Sequence, residues 1–169
     1  MSNNFVHPWY VVRVKPRFEK WVTLHLQGKG YEVYLPLYRQ RKRRSGGYRS
    51  VELPLFPQYV FCRFDSRRRL PILQTPGVHQ VVASGGRLLP VEEGQVEAVR
   101  QVAESKLSAE PWPCLREGQR VWIHDGPLRN VEGILADVKD HCRLVVNVTL
   151  LQRAVAVEID RDWASPVPA

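Results

Sequence analysis

The first hundred residues contain apolar runs with the spacing of strands and one apolar stripe with the spacing of a helix. Residues 9–14 (WYVVRV) are aromatic and β-branched and predict a strand, and residues 31–35 predict a second strand. Between them, residues 17–28 predict a helix, because apolar side chains recur there at intervals of three and four positions. Gly28 and Gly30 predict the end of this helix. Its predicted buried stripe consists of Phe18, Trp21, Val22, His25 and Leu26.

The rest of this half adds a polar run, two strands and a helix. The run over residues 39–49 is rich in arginine and contains Gly46 and Gly47, which predict a hairpin tip or a flexible loop. The other segments predict, in chain order, a central strand, a further strand and a second helix at residues 55–64, 78–83 and 91–104. Strands and helices in this order predict an α+β fold, in which helices flank an antiparallel sheet.

From residue 117 onward the pattern changes to short β-prone segments separated by turn-forming residues. The predicted strands lie at residues 121–123, 133–136, 144–148 and 154–159. Short strands at such close spacing predict a small β-barrel. The segment before them contains two prolines and little periodicity, which predict a linker. The predicted domains are therefore 1–104 (α+β), 105–116 (linker) and 117–169 (barrel).

The net charge of +8 is unevenly distributed along the chain. Residues 1–104 carry 17 Lys and Arg against 8 Asp and Glu, a net charge of +9, whereas residues 117–169 carry 6 against 8, a net charge of −2. A basic domain predicts a polyanionic partner, because Lys and Arg displace condensed counterions from phosphates. The barrel lacks this attraction, so we expect the two domains to bind two kinds of partner.

Several features count against secretion, a membrane span and enzymatic chemistry. No apolar run approaches the roughly 18–20 residues that a membrane-spanning helix needs, and the start lacks the regions of a signal peptide, so we expect a cytoplasmic protein. Three scattered cysteines form no CxxC pair and predict buried apolar residues. HExxH, GxGxxG, P-loop and GxSxG motifs are absent from the sequence. We expect no catalytic residue, metal or cofactor, and interpret Asp137 and Asp140 as turn residues.

Segments of both halves resemble the NusG family of bacterial transcription elongation factors. The first half resembles its N-terminal (NGN) domain at Trp9 to Val12, at Phe18-Glu19 and at Leu55 to Val60 (LFPQYV). The tail resembles its KOW domain at Gly118 to Val121, at Asp125-Gly126-Pro127 and at Gly133 to Arg153. The resemblance covers nearly the whole chain in the right order. It implies an NGN-like domain followed by an SH3-like barrel, in a factor that binds RNA polymerase and is not an enzyme.

The resemblance assigns a polymerase-binding surface to the NGN-like domain. In the family this domain lays an apolar concave surface over the clamp helices of the largest polymerase subunit, which favours continuous elongation. The matching residues here are Trp9, Tyr10, Phe56 and Tyr59. Large aromatics supply much of the energy of such interfaces. Since side chains alternate along a strand, Trp9 and Tyr10 are expected to face opposite ways, and the alternative for all four residues is a place in the core.

Two groups of basic residues are predicted to contact nucleic acid. The first lies between the first strand and the first helix, where specialised family members such as RfaH contact the non-template DNA strand, and comprises Arg13, Lys15, Arg17 and Lys20. The second is predicted to contact upstream DNA or nascent RNA without base specificity, and comprises Arg39, Arg41, Lys42, Arg43, Arg44 and Arg49. The alternative for both groups is a solvated charged surface.

The tail loop and one turn residue indicate which kind of family member this is. The general factor's KOW domain binds termination factor Rho or a small-subunit ribosomal protein, through a loop that usually carries an aromatic residue and then a glycine. The predicted partner-binding residues here are Leu150, Leu151, Gln152 and Arg153. Leu151 and Gln152 replace the aromatic residue and the glycine, and Gln58 also stands where the general factor has glycine. These changes favour a specialised RfaH-like antiterminator.

Two other functions stay open at this point, and the composition of the tail bears on one conformational question. The chain is alternatively a general NusG that supports Rho termination and transcription–translation coupling, or a KOW-type protein that binds RNA or ribosomes. The tail is rich in Val, Ile and Thr with spread glycines, which favours a permanent barrel over refolding into a helical hairpin.

Overall fold

The computed structural model describes residues 6–168. Its secondary structure divides at about residue 93 into a mixed part and a mainly β part. The elements of the mixed part are β1 (Trp9–Val14), α1 (Glu19–Gly28), β2 (Glu32–Tyr34), β3 (Leu37–Arg44), β4 (Gly47–Pro54), β5 (Tyr59–Arg63), α2 (Leu70–Leu73), β6 (Val78–Val81), β7 (Ala83–Ser84) and β8 (Arg87–Leu88). The rest are α3 (Glu93–Glu104), β9 (Ala109–Pro113), β10 (Arg120–Ile123), β11 (Glu132–Val138), β12 (His141–Val148), β13 (Arg153–Glu158) and β14 (Ala164–Pro166).

The chain forms two compact units that cross the predicted boundaries. The first unit takes in the described residues up to Leu35 together with Phe56–Glu93, and the second takes in Pro36–Leu55 and the residues from Gly94 onward. The domain boundaries proposed from the sequence therefore stay a prediction.

The first unit is built on a four-stranded antiparallel sheet with the strand order β2-β5-β1-β6. One face of this sheet packs with α1 and α2 in a core cluster that contains Tyr10, Val12, Val14, Val22, Leu26, Val60, Cys62, Phe64, Ile72 and Val81. Alternation along β1 sends Tyr10 into this cluster and Trp9 to the opposite face, as the sequence predicts. The two-stranded ribbon of β7 and β8 completes the unit.

The second unit contains a six-stranded antiparallel sheet with the order β14-β10-β11-β12-β13-β9, and separately the two-stranded hairpin of β3 and β4. The six-stranded sheet is consistent with the predicted small barrel, and one of its core clusters holds Val145, Ala154 and Ala156 under Trp112 and Leu115. The predicted α+β class with a β-rich tail is thus confirmed.

Two local predictions need correction. Residues 109–113, predicted as linker, form edge strand β9, where Pro111 and Pro113 are tolerated because a strand at an edge need not donate every backbone N–H. In α1, the buried residues are Glu19, Val22 and Leu26, while Phe18, Trp21 and His25 of the predicted buried stripe are exposed. The spacing of apolar residues does not predict a buried Glu19, whose carboxylate accepts a hydrogen bond from the backbone N–H of Gln58.

Candidate interaction surfaces

The turn that leads into β5, residues 56–59 (the FPQY turn), has a left-handed residue at its centre. Gln58 has a φ of 71°, a region that residues with a Cβ enter at a cost. The backbone N–H of Val14 donates to the carbonyl oxygen of Gln58 at 2.8 Å, and the N–H of Gln58 donates to Oε1 of Glu19 at 3.0 Å. Since Glu19 is only 7% exposed, its carboxylate holds this turn from inside the protein.

The sheet face opposite the α1 core carries most of the aromatic residues predicted to bind polymerase. Antiparallel pairing of β1 with β5 sets Trp9 opposite Arg63, Val11 opposite Phe61 and Arg13 opposite Tyr59. Residues directly opposite one another share a face, so these six side chains form one surface, here named the aromatic face. The pairing thus brings together two residues predicted for different roles, the basic Arg13 and the aromatic Tyr59.

Burial separates the four predicted polymerase-binding residues. Trp9, Tyr10 and Phe56 are buried, at 1%, 6% and 1% exposure, whereas Tyr59 is half-buried. Tyr10 belongs to the core under α1. Phe56 packs edge-on against Phe61, with ring centroids 6.0 Å apart. Tyr59 is the member of the set that the observed conformation leaves accessible, and the polymerase contact itself stays a prediction.

Arg63 organises the far end of the aromatic face, a role that sequence reasoning missed. Its guanidinium lies 4.5 Å from the ring centroid of Trp9, and it forms ion pairs with Glu32 (3.2 Å) and Glu93. It also donates to the backbone oxygen of His7 at 3.0 Å. An arginine that is only 12% exposed needs such partners, because an unpaired charge is costly to bury. No sequence spacing reveals this cluster, because strand pairing assembles it.

The basic strand end, consisting of Arg13, Lys15, Arg17 and Lys20, is exposed at all four side chains. Arg17 has a φ of 71°, so the chain turns sharply between β1 and α1. The backbone N–H of Lys15 donates to the carbonyl oxygen of Gly77 at 2.9 Å, which ties this turn to the loop before β6. Lys15 and Arg17 therefore project from a held turn, with Arg13 at the end of β1 and Lys20 at the start of α1, a geometry suited to phosphate contact.

The hairpin of β3 and β4, here named the basic hairpin, has two charged faces. Its register sets Arg39 opposite Glu52, Arg41 opposite Ser50 and Arg43 opposite Tyr48. The alternate pairs on the other face include Lys42 opposite Arg49 and Arg44 opposite Gly47. All side chains from residue 39 to 50 are exposed. The predicted hairpin tip at Gly46 and Gly47 is confirmed.

Few contacts neutralise the basic hairpin within the part of the chain that is described. Arg39 lies 3.6 Å from the carboxylate of Glu52, and the guanidinium of Arg41 lies 5.3 Å from the ring centroid of Tyr48. Lys42 and Arg49 face each other across the ladder, an arrangement of like charges that is unfavourable without an anion. The hairpin thus concentrates positive charge on a ribbon of the width that fits a nucleic-acid groove.

The predicted partner-binding loop of the barrel, residues 149–153, contains a second left-handed residue. Gln152 has a φ of 51° and follows the short 3-10 turn Thr149–Leu151. Gln152 and Arg153 are exposed, Leu150 is half-buried and Leu151 is 9% exposed. Gln95 exchanges two hydrogen bonds with Thr149, through its amide nitrogen (2.6 Å) and its amide oxygen (3.2 Å). Leu151 therefore packs inward in this conformation.

Of the three cysteines predicted to be buried, Cys62 is buried, whereas Cys114 and Cys142 are half-buried. All three cysteines are free, and burial, with a smaller contribution from the charge of Glu32, raises the pKa of the Cys62 thiol to about 12. Asp140 lies in the turn between β11 and β12 with a φ of 66°, as predicted, whereas Asp137 is not a turn residue but lies within β11 and pairs with Arg161. Residues 6–168 hold no group of three or more His, Cys, Asp or Glu placed to bind a metal ion. Within the same residues, no helix is long and apolar enough to cross a membrane.

The fold and these surfaces define a protein of the α+β class that carries an exposed basic hairpin and a partly buried aromatic face. The family model described as "Transcription termination factor nusG" matches residues 7–100. The chain belongs to the NusG family.

Full-length relatives agree with this assignment. The transcription termination/antitermination protein NusG of Thermus thermophilus is 26% identical over 90% of this chain and 94% of its own length. The protein of the same name from Pseudomonas aeruginosa is 25% identical over 90% of this chain and 94% of its own. A solved structure described as "Domain interaction in Thermotoga maritima NusG" superposes with a TM-score of 0.58 at 18% identity, covering 95% of this chain and 97% of that one. This last similarity concerns the fold alone.

Proposed function

We propose that this protein is a specialised, RfaH-like member of the NusG family that binds the clamp helices of RNA polymerase and promotes antitermination. The observation that carries the specialised role is the backbone at Gln58 and Gln152. Both residues have a positive φ, and the family resemblance places Gln58 where the general factor has glycine and Gln152 where it usually has glycine. A glycine would adopt these conformations without cost, so the retained glutamine side chains indicate a function that offsets the strain. The general factor is the alternative.

The polymerase contact is proposed to centre on Tyr59 and the aromatic face beside it. Tyr59 is half-buried, and its cross-strand neighbour Arg13 is exposed, so an apolar ring and a cation lie at one accessible edge. The buried ring of Phe56 would support the aromatic face through Phe61, Trp9 would order its far end, and Tyr10 would act through the core. An aromatic residue in a partly formed pocket is the kind of anchor from which interfaces gain most of their energy.

The polymerase contact is tested by replacing Tyr59 with alanine and measuring binding to RNA polymerase. The expected loss is about 2 kcal/mol or more, roughly thirtyfold in Kd. Tyr31→Ala is the matched control, because Tyr31 is also half-buried but packs against the core under α1. Loss of binding in both variants would indicate general damage to the fold, and unchanged binding in Tyr59→Ala would remove Tyr59 from the interface.

The basic hairpin is proposed to contact upstream DNA or nascent RNA through phosphates. Its support is the exposed charge on both faces and the unfavourable pairing of Lys42 with Arg49. Replacing Arg41, Lys42, Arg43 and Arg49 by glutamine should reduce the dependence of log K on log salt by about 0.9 for each lost duplex contact. Replacing the exposed Arg67–Arg69 is the control, and an equal change of slope in both variants would argue against a specific role for the hairpin.

The KOW barrel is proposed to recruit a second protein, either Rho or a small-subunit ribosomal protein, through the 149–153 loop, with the protein acting in the cytoplasm. The exposed residues Gln152 and Arg153 support this proposal. Leu151 would join the contact only after turning outward from its present packing.

The role as a whole is tested by elongation of bacterial RNA polymerase on a template with a pause site and a Rho-dependent terminator. Longer transcripts and reduced Rho termination are expected for a specialised antiterminator. Enhanced Rho termination would assign the protein to the general factors instead. Binding to ribosomes in the absence of polymerase, with no effect on transcription, would favour the alternative of an RNA- or ribosome-binding protein.

A further inference from the structure

A segment that the sequence indicated as linker, residues 109–115, lies along the six-stranded sheet and is here named the strap. Its first five residues form β9 on the edge of β13. Its last residue is held by a side-chain amide. The backbone N–H of Leu115 donates to Oδ1 of Asn147 at 3.1 Å, and Nδ2 of Asn147 donates to the carbonyl oxygen of Leu115 at 2.7 Å. Strand pairing and one asparagine therefore fasten the two ends of the strap.

The strap covers a patch of small side chains on one face of the sheet. Ala154 and Ala156 are each 1% exposed and form a core cluster with Val145. Trp112 and Leu115 of the strap are half-buried and pack against this cluster. Alanine side chains are short, so they leave space above the sheet for the indole of Trp112; this space is here named the alanine groove. Without the strap the apolar patch would be exposed to water, which is unfavourable.

A cation beside the alanine groove contacts both large side chains of β9. The guanidinium of Arg143 lies 5.2 Å from the ring centroid of Trp112 and forms an ion pair with Glu110. Glu110 and Trp112 are two positions apart in a strand, so their side chains face the same side of the sheet. The groove and Arg143 together therefore suit an extended segment that carries a carboxylate two residues before an aromatic ring.

Backbone hydrogen bonds show which amides near β13 face the strap. The N–H of Glu158 donates to the carbonyl oxygen of Ser108 at 2.9 Å, whereas the N–H of Ile159 donates to that of Cys142 at 3.0 Å. Residues of an antiparallel strand point their backbone groups alternately to one neighbouring strand and to the other. The amides that face the strap therefore belong to Ala154, Ala156 and Glu158. Those that face β12 belong to Val155, Val157 and Ile159.

The same alternation makes the strap the last strand of the sheet. The register sets Glu110 and Trp112 opposite the β13 residues whose amides face the strap, so these two residues exchange backbone hydrogen bonds with β13. Pro111 and Pro113 then point their nitrogens away from β13, and a proline nitrogen has no hydrogen to donate. A further strand would find few donors on the outer side of β9. The edge that can pair with another chain is therefore that of β13, beneath the strap.

Two features indicate that the strap can leave its place. All five residues of β9 are half-buried or exposed, so we expect the strap to open at a lower free energy than the interior strands. In addition, Nε of Arg143 is buried without a hydrogen-bond partner among residues 6–168. A buried donor left unpaired costs free energy, and a segment that supplied an acceptor there would recover this cost. The strap is thus an imperfect occupant of its own site.

We propose that the β13 edge and the alanine groove form a binding site for an extended segment of a partner protein, and that the strap fills this site until the segment displaces it. The segment pairs its backbone with β13 for affinity. Its carboxylate and aromatic ring contact Arg143 and the groove for specificity. The proposal deepens the proposed recruitment of a second protein by the barrel and rests on it, because Pro113 lies opposite Arg153 of the 149–153 loop.

The first test measures binding of a peptide to the full chain by fluorescence anisotropy. The fluorescein-labelled peptide has the sequence of residues 107–115 with Cys114→Ser (LSAEPWPSL). The chain variant Glu110→Ala/Trp112→Ala should bind it about tenfold or more tightly than wild type, because an intact tethered strap competes at an effective concentration of the order of mM. A control peptide with alanine in place of its tryptophan should bind the variant about tenfold or more weakly.

The second test measures amide hydrogen exchange by NMR, residue by residue. In Trp112→Ala, the amides of Ala154 and Ala156 should exchange about tenfold or more faster than in wild type, while those of Val155 and Val157 keep their rates because β12 still holds them. Trp122→Ala is the matched control, since this tryptophan is 38% exposed on β10 and should alter neither pair of amides.

The outcomes separate this proposal from the one on which it rests. If the peptide does not bind the Glu110→Ala/Trp112→Ala chain while Val155 and Val157 stay protected, the edge is not a peptide site and the proposal is overturned. Equal acceleration of all four amides in Trp112→Ala would also overturn it, because the strap would then be part of the core. A dimer of the variant that excludes the peptide would assign the edge to a second copy instead. The recruitment proposal fails separately, if neither Rho nor a small-subunit ribosomal protein binds the wild-type chain or the strap variant.

Discussion

Replacing Gln58 by glycine should stabilise the protein, although it removes a side chain. A left-handed residue with a Cβ costs about 1–2 kcal/mol, and Gln58 has a φ of 71°. Glycine removes this cost but loses about 0.5–1 kcal/mol more conformational entropy on folding. Both hydrogen bonds that hold the turn, to Val14 and to Glu19, use backbone atoms of residue 58 and persist in the variant. The expected net gain is about 0.5–1 kcal/mol, or about 1–4 °C in Tm.

The assay is urea unfolding followed by tryptophan fluorescence, with two control variants. Gln58→Ala keeps the left-handed cost and loses the amide, so it should not gain stability. Gln80→Gly makes the same substitution in β6, where the backbone is extended, and should lose about 0.5–1 kcal/mol. If Gln58→Gly is no more stable than Gln58→Ala, the positive φ carries no cost and the reasoning about strain at this turn is wrong.

The same variant tests the functional meaning of the strain. Under the proposed specialised role, Gln58→Gly gains stability while antitermination by RNA polymerase falls, since the amide side chain is lost from the surface beside Tyr59. If stability rises and antitermination is unchanged, the glutamine side chain has no role in that activity, and the main support for the specialised assignment is lost.

Three other predictions concern the interior. Glu19→Ala should cost about 1.5–3 kcal/mol in urea unfolding, because the N–H of Gln58 loses a charged acceptor, whereas Glu19→Gln should retain much of the stability; equal stability of the two variants would contradict this role. The pKa of Cys62 is about 12 when folded and near 9 when unfolded, so the unfolded thiol ionises first. The free energy of unfolding should therefore fall as the pH rises from about 9 to about 12. It should fall by about 1.4 kcal/mol per pH unit more in wild type than in Cys62→Ala, and parallel curves of stability against pH would refute this. Gly133→Ala should destabilise the barrel by about 1–3 kcal/mol, since its Cβ would lie 2.6 Å from the backbone oxygen of Val145. An unchanged Tm in thermal unfolding would show that the strands can separate there.

The sequence by itself determined the order and type of most elements. An aromatic and β-branched run predicted β1, alternation predicted opposite faces for Trp9 and Tyr10, and paired glycines predicted the tip of the basic hairpin. Short β-prone segments predicted the β-rich tail, and sequence motifs in both halves of the chain indicated the NusG family. These features are local, because period and turn chemistry depend on residues close together in the chain.

Tertiary structure decided which faces are covered and which polar groups are paired. The pattern of α1 marked Phe18 and Trp21 as core and gave no reason to bury Glu19, yet packing reversed both, because the carboxylate meets the N–H of Gln58 from 39 positions away. Arg63 acquired Trp9 and Glu32 as partners through pairing of β5 with β1 and β2, and Glu93 from the start of α3. Periodicity states that a helix or strand has a buried side, but the contacts that choose this side come from residues distant in sequence.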